Sequence, residues 1–336
     1  MTAKQPTVGR FPPHVLREYS LLADGERGIL VGPRGDFGWM CAPRWDSDAV
    51  FSSLIGGSGV YAITPADPRF VWGGYYEPGS LIWRSRWVTD GGIIECREAL
   101  AFPGESGRAV VLRRIVAIEG AARVEVVLEA RAGFGRHAMG SLSTQDGVWS
   151  VRSGPVRLRW SGAGKARVAS AGHLHLTIEL SEGAHHDLVL EVSDQELPAE
   201  PVQAERAWVS TEAAWARAVP EVAGTIADRD ARHAHAVLRG LTSAGGGMVA
   251  AATMSLPERA ERAATTTTAI PGFATSVTPD KPPPSPAPIS CSTMPSASSP
   301  RASWTTARSS NLRTPWPGGR CPGSKICGFP ATRAHR

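Results

Sequence analysis

Short apolar runs separated by glycine, aspartate and proline dominate the first two hundred residues. Gly28–Val31 and Phe37–Cys41 flank Gly32-Pro33-Arg34-Gly35-Asp36, a spacing that predicts a β-hairpin. Residues 80–88 (SLIWRSRWV) alternate in part, with Trp83 and Trp87 on one face and Arg84 and Arg86 on the other. Thr89-Asp90-Gly91-Gly92 turns the chain into residues 93–100. Residues 109–118 and 123–131 flank Glu119-Gly120-Ala121-Ala122. Three further runs, 156–160, 173–180 and 188–192, continue the rhythm. Strands recurring at this interval predict a mainly β fold, an antiparallel β-sandwich. The period changes near Pro201. Residues 202–219 place Trp208 and Trp215 seven apart among Glu205, Arg206, Glu212 and Arg217, which is helical spacing. Residues 228–242 also read as a helix, closed by Gly245-Gly246-Gly247. The expected division is a β-sandwich over 1–200 and a helical linker with the start of a larger domain over 201–262.

Composition changes this picture only beyond Arg262. The 336 residues suggest about two domains. The hydrophobic share of 42% suffices for a core. No apolar run approaches the roughly 20 residues of a membrane span. The opening MTAKQPTVGRFPPHVLREYS lacks an apolar signal region, so a cytoplasmic address is expected. Cys41, Cys96, Cys291, Cys321 and Cys327 form no CxxC pair, which argues against a zinc site or a disulfide framework. The net charge is +5, yet residues 263–336 hold eight basic residues and one acid, a net of +7. Residues 1–262 therefore carry 5 − 7 = −2. The tail also holds 13 of the 27 prolines, and its DKPPPSPAP run removes backbone donors and fixes φ. A segment of this kind buries too little apolar surface to offset its ordering entropy, so 263–336 is expected to be disordered.

Three groups of residues carry candidate chemistry. In Pro43-Arg44-Trp45-Asp46-Ser47-Asp48, Arg44 and Asp46 could pair with each other or hydrogen-bond a sugar. The plainer interpretation is a capped loop, with Asp46 or Ser47 starting a short helix over 49–55. Trp39, Trp45, Trp72, Trp83, Trp87, Trp149 and Trp160 could stack on sugar rings, but sandwich cores also consume tryptophan. His173 with His175, His185 with His186 and His233 with His235 lack the carboxylate or thiolate partners that would complete a metal site. No GxGxxG, P-loop, HExxH or GxSxG is present, so no cofactor or metal is expected. The tail cations are sparse, and Trp304, Trp316, Phe273 and Phe329 are its few stacking rings, which speaks against a nucleic-acid partner.

The run EYSLLADGERGILVGPRGDFGWMCAPRWDSDAVFSSLIG, Glu18 to Gly56, resembles the N-terminal domain of glucoamylase- and trehalase-like enzymes, glycoside hydrolase family fifteen. Trp39, Cys41, Pro43, Arg44, Asp46 and Ser47 match the family pattern, whereas Gly35-Asp36 stands in place of Asp-Gly. VLRGLTSAGGGMVAAATMSLPE, residues 237–258, resembles the family's entry into its catalytic domain. The likeness covers about residues 12–260. It implies a β-sandwich, a helical linker and the incomplete start of an (α/α)6 barrel. In the family that barrel inverts α-glucosides, one Glu acting as general acid while another activates water. Both lie downstream of the SLPE stretch, and this chain departs from the pattern after Glu258. The resemblance therefore implies an α-glucan, oligosaccharide or trehalose substrate, no cofactor, and no catalytic pair in this chain. It marks Arg44, Trp45 and Asp46 as the substrate-proximal residues, because their loop could reach toward the barrel.

The departure has a reading-frame explanation. A tyrosine-rich motif of the family, with Trp, Arg and Asp that hold the terminal sugar, should follow SLPE. Here residues 264–275 read ATTTTAIPGFAT. Each codon's last base, joined to the next codon's first two, permits Asn-Tyr-Asp-Tyr-Arg-Tyr-Pro-Trp-Ile-Arg-Asp. A one-base slip near Arg262 would thus turn the start of a catalytic domain into the tail. The leading expectation is a truncated, inactive glycosidase. The alternatives are a non-catalytic module for glycan binding or assembly, and a protein with a regulatory basic tail. Without a barrel to cover them, Trp208, Trp215, Val237 and Leu238 are expected to be exposed and to promote association.

Overall fold

The molecule, a computed structural model, describes residues 11–253. The expectations for the tail at 263–336, and the frame slip near Arg262, lie outside the described residues.

Alternation along the strands decides the layers. The longest sheet runs β11 (Met139–Gln145), β12 (Val148–Ser153), β13 (Val156–Ser161), β16 (His185–Ser193), β9 (Arg108–Glu119), β8 (Gly92–Leu100), β7 (Trp83–Thr89) and β6 (Phe70–Tyr76), all antiparallel. A second sheet runs β14 (Arg167–Val168), β15 (Leu174–Leu180), β10 (Ala122–Glu129) and β5 (Val60–Pro65). The third is the meander β1 (Ser20–Ala23), β2 (Gly28–Val31), β3 (Phe37–Cys41) and β4 (Ala49–Phe51). One face of each contributes to a single core. Trp87, Cys96, Val111 and Trp160 of the large sheet meet Tyr61, Val124 and Leu174 of the second and Ile29, Phe37 and Phe51 of the third. This is the antiparallel β-sandwich that the pattern predicts.

A buried ion pair ties the layers together. Arg113 on β9 reaches Glu98 on β8 at 2.5 Å and donates to the carbonyls of Gly35 and Tyr61, at 2.7 and 3.3 Å. Its guanidinium also lies over the rings of Phe37 and Tyr61. Burial pushes the Glu98 carboxyl up, and Arg113 opposes that shift. Gly35, at φ 64, has no room for a side chain, because a Cβ would fall 2.3 Å from the Ile63 carbonyl.

The outer face of the large sheet is covered by α1 (Ala204–Ala218), with α2 (Asp228–Gly240) following. The expected exposure of the two linker tryptophans is corrected here. Trp208 and Trp215 are 1% and 2% exposed, Val237 is half-buried, and Leu238 alone stays open. The sheet itself supplies the missing cover through Ala99, Val110, Leu112 and Val189. Trp215 stacks on Phe102 with ring centroids 3.9 Å apart. Arg97 lies 4.4 Å over the Trp208 ring and pairs with both Glu212 and Glu77 at 2.6 Å. The expected helix over 49–55 is also replaced, by β4 and a 3-10 turn at Ser53–Ile55. Ala49 and Phe51 pair with Cys41 and Met40, so the ladder wins over the local cap. Strands β1, β5, β6, β11, β12 and β14 were not among the expected segments.

Two outcomes follow from this packing. Trp215→Ala should lower the unfolding free energy by about 3–5 kcal/mol in denaturant titrations, with α1 released from the sheet. For Glu77, burial raises the carboxyl pKa, but the hydrogen bonds and charges of Arg97 and Arg84 outweigh it and hold the group below its ordinary 4.5. Its contribution is then full above that value and is lost as pH falls through the depressed one. The stability gap between wild type and Glu77→Gln, followed by urea unfolding, should be widest above about pH 5 and narrow on acidification.

Candidate functional site

The loop after β3 closes on itself. The Arg44 N–H donates to Ser47 Oγ, and the Ser47 N–H donates to the Arg44 carbonyl, both at 3.1 Å. Arg44 Nε and Asp46 Oδ1 then stand 3.2 Å apart, with side chains 50% and 62% exposed. Between them Trp45 turns inward and is buried. Its indole N–H donates to the Gly25 carbonyl at 2.8 Å. The ring lies so close over Gly28 that a Cβ there would approach it to 2.7 Å. Of the three residues singled out in the sequence, Arg44 and Asp46 face solvent and Trp45 anchors the loop that carries them.

The same corner receives the chain beyond α2. Asp24 shapes the β1–β2 turn by accepting the N–H groups of Glu26 and Arg27 at 2.9 and 3.0 Å. Burial pushes the Asp24 carboxyl up, opposed by Arg27, whose Nε stands 3.2 Å from it. The Gly25 N–H donates to the Gly240 carbonyl, and the Ala244 N–H donates to Glu26 Oε1, each at 2.8 Å. Trp39, fully buried on β3, donates its indole N–H to the Ala252 carbonyl at 2.8 Å. Residues 240–252 are thereby strapped beside the Arg44–Asp46 loop. The turn residues Asp24, Gly25 and Glu26 and the acceptor Ala252 were not predicted. The Asp-Gly dipeptide signalled the turn, but no local pattern signals a contact over two hundred residues.

Chemically, the loop offers an exposed guanidinium and an exposed carboxylate, a donor and acceptor pair suited to sugar hydroxyls. Two surface depressions lie elsewhere. One runs along the outer side of α1, lined by Glu205, Arg206, Val209, Ala213 and Arg217, and the other lies at 121–123 and 179–181. Each has one carboxylate in its lining, Glu205 and Glu179 respectively. Among the described residues no group of three or more His, Cys, Asp or Glu side chains converges on a metal-sized position. His175 bonds Glu125, His186 bonds the Gly162 carbonyl, and His233 packs on the ring of Tyr76. His185 and His186 open strand β16.

The profile for trehalase-like N-terminal domains matches residues 5–215, well over half of the chain. The chain belongs to the trehalase-like N-terminal family. The match takes in the whole sandwich, the Arg44–Asp46 loop and most of α1. A trehalase of Mycobacterium tuberculosis is 33% identical over 106 residues, covering 30% of this chain and 15% of that protein. A trehalase of Mycolicibacterium smegmatis is 35% identical over 91 residues, covering 27% of this chain and 13% of that protein. The chain thus spans only about 15% of the length of the curated relatives it matches. A solved structure named as a kojibiose phosphorylase from the human microbiome covers 63% of this chain and 34% of that one at 10% identity. Its TM-score of 0.30 is too low to argue from.

In this trehalase-like domain, Gly28→Ala should push the Trp45 ring from its seat and cost about 1–3 kcal/mol. Tryptophan fluorescence should report the displaced indole, and limited proteolysis should cut 240–252 faster than in wild type. Unchanged fluorescence and cleavage would show that the ring is not seated as described.

Proposed function

We propose that this chain carries the scaffold domain of a trehalase-like glycosidase that hydrolyses α-linked glucose in glucans, oligosaccharides or trehalose. In this reading residues 1–200 form the sandwich, 201–262 lead into an (α/α)6 domain, and the acid and base belong to that following domain. The observation that carries the reading is the strap at 240–252. Gly240, Ala244 and Ala252 are held by Gly25, Glu26 and Trp39, so the chain leaves the sandwich beside Arg44 and Asp46. A domain continuing from that point would bring its substrate side within reach of the loop. Arg44 and Asp46 then act as substrate-proximal polar groups, and Trp45 as their positioning residue. The names of the two mycobacterial relatives make trehalose the first substrate to test.

The reading includes the frame slip near Arg262 as the reason residues 264–275 depart from the family pattern. Four successive threonines there supply the AC bases that an Asn-Tyr-Asp-Tyr reading requires. The chain as it stands would then have no turnover. A reducing compartment such as the cytoplasm fits Cys96, a buried thiol outside any disulfide.

Glucose release from trehalose and maltooligosaccharides is the decisive measurement. The present chain should release none, whereas a gene with the frame corrected across codons 255–270 should yield an active product. In that product Arg44→Ala and Asp46→Asn should raise KM by about tenfold, the scale of one lost charge-assisted hydrogen bond. Robust hydrolysis by the present chain overturns the proposal.

A further inference from the structure

Among the described residues most strand edges are covered, short or broken, and β6 is the longest that is none of these. On β1, the Tyr76 hydroxyl accepts the Leu21 N–H at 2.7 Å and donates to the Leu21 carbonyl at 3.1 Å. On β4, the Ala49 and Val50 carbonyls receive the N–H groups of Phe134 and Arg131. On β5, Ile63 donates to the Gly35 carbonyl, and Ala62 bridges to Asp36. Strand β14 has only two residues. The far edge of the large sheet, β11, is broken by a register shift between Gly140 and Ser143, with Ser141 at φ 49. Bulges and short strands of this kind block pairing with another chain. Strand β6 (FVWGGYY) has none of these devices. It is seven residues long, pairs with β7 without a register break, and holds no charge and no proline. Among the described residues no strand pairs with its other side. Val71 and Tyr75 are 72% and 46% exposed beside that edge.

We propose that β6 is a self-association edge, pairing antiparallel with β6 of a second copy about a two-fold axis at Gly73. Outward-facing backbone groups belong to alternate residues, so residues opposite one another must share parity. The two-fold then passes through a residue, and Gly73 is the midpoint of the strand. That register sets Val71 against Tyr75 of the second copy on the outer face, an aliphatic–aromatic pair of the kind that stabilises sheets. Trp72 meets the side-chain-free Gly74, and Gly73 meets itself, where a Cβ would find nothing within 4 Å. One residue beyond, Arg69 stands opposite Glu77; each is paired within its own copy, Arg69 with Asp90 and Glu77 with Arg84 and Arg97, so this register sets no like charges against each other at its ends. An isologous pairing of this type closes after two copies. The inference is independent of where catalysis occurs.

Sedimentation velocity on the full chain tests it. Wild type should sediment as a dimer. Val71→Lys changes two symmetry-related contacts at once and should weaken the dimer by about tenfold. Tyr75→Glu should do the same, its new carboxylate lying opposite Arg84 on β7 though also near Glu95, and a thermal melt that matches wild type shows that the monomer is folded. Mixing the two variants sets the new lysine against the new glutamate and should restore a dimer in which each partner is a different variant. A wild-type monomer at every concentration overturns the proposal, whether the edge is bare or taken by another segment. A dimer insensitive to Val71→Lys also overturns it, and a mixture that stays monomeric overturns the Gly73 two-fold.

Discussion

A sheet of eight strands with apolar residues on both faces has to be covered on both, and the rest of this structure answers that constraint. The inner face is covered by two smaller sheets; their strands between residues 20 and 65 are nearly continuous apolar runs, while 122–129 and 174–180 alternate, with Val124, Val126, Leu174, Leu176 and Ile178 turned to the core. The outer face mixes charge and carbon. Arg97 and Arg114 project from it between Ala99, Val110, Leu112 and Val189. A helix that covers such a face needs both large rings and acids. Helix α1 brings Trp208 and Trp215 for the apolar strip and Glu205 and Glu212 for the arginines. Its docking is specific because the two kinds of contact alternate along one helix face.

This explains what was legible in the sequence and what was not. Alternation in 80–88 named its own faces, since Trp83 and Trp87 are buried while Arg84 and Arg86 point outward. The turn glycines likewise located the β2–β3 hairpin to the residue. Strand β6 escaped because it is an edge with glycines at its centre, so it shows neither clean alternation nor a strong apolar run. β4 was read as a helix start because Ser47 and Asp46 are good caps, and only the distant ladder to β3 decides otherwise. The helix spacing of Trp208 and Trp215 was correct, but a helical stripe does not say what it packs against. Assigning it to a missing domain overlooked the sheet that already offered a matching surface.

The candidate site divides the same way. Arg44 and Asp46 were legible because they match a family pattern, and their short separation makes the pair local. The role of Trp45 was not, because an indole in a polar loop reads equally as a platform or an anchor. Its burial follows from Gly28, whose missing side chain opens the seat, and from Gly25, whose carbonyl fixes the indole N–H. Neither glycine signals this in isolation. The strap of 240–252 is less legible still, because it is made mainly by backbone groups, which every residue carries.

That bond cleavage belongs to a following domain, as proposed, is consistent with how the carboxylates of this domain are used. A general acid must hold its proton near neutral pH and face a substrate. Glu77, Glu95, Glu191 and Asp187 are each paired with one or more arginines, and for Glu77 Arg97 and Arg84 outweigh burial and hold the carboxyl below its ordinary range. Burial raises the pKa of Glu98 and Asp24, and both lie in the interior with Arg113 and Arg27 against them. Groups so placed hold layers together. In the proposed reading the polar Arg44–Asp46 loop, anchored by one indole and flanked by residues 240–252, is the part of this domain that would complete a site on a neighbouring one.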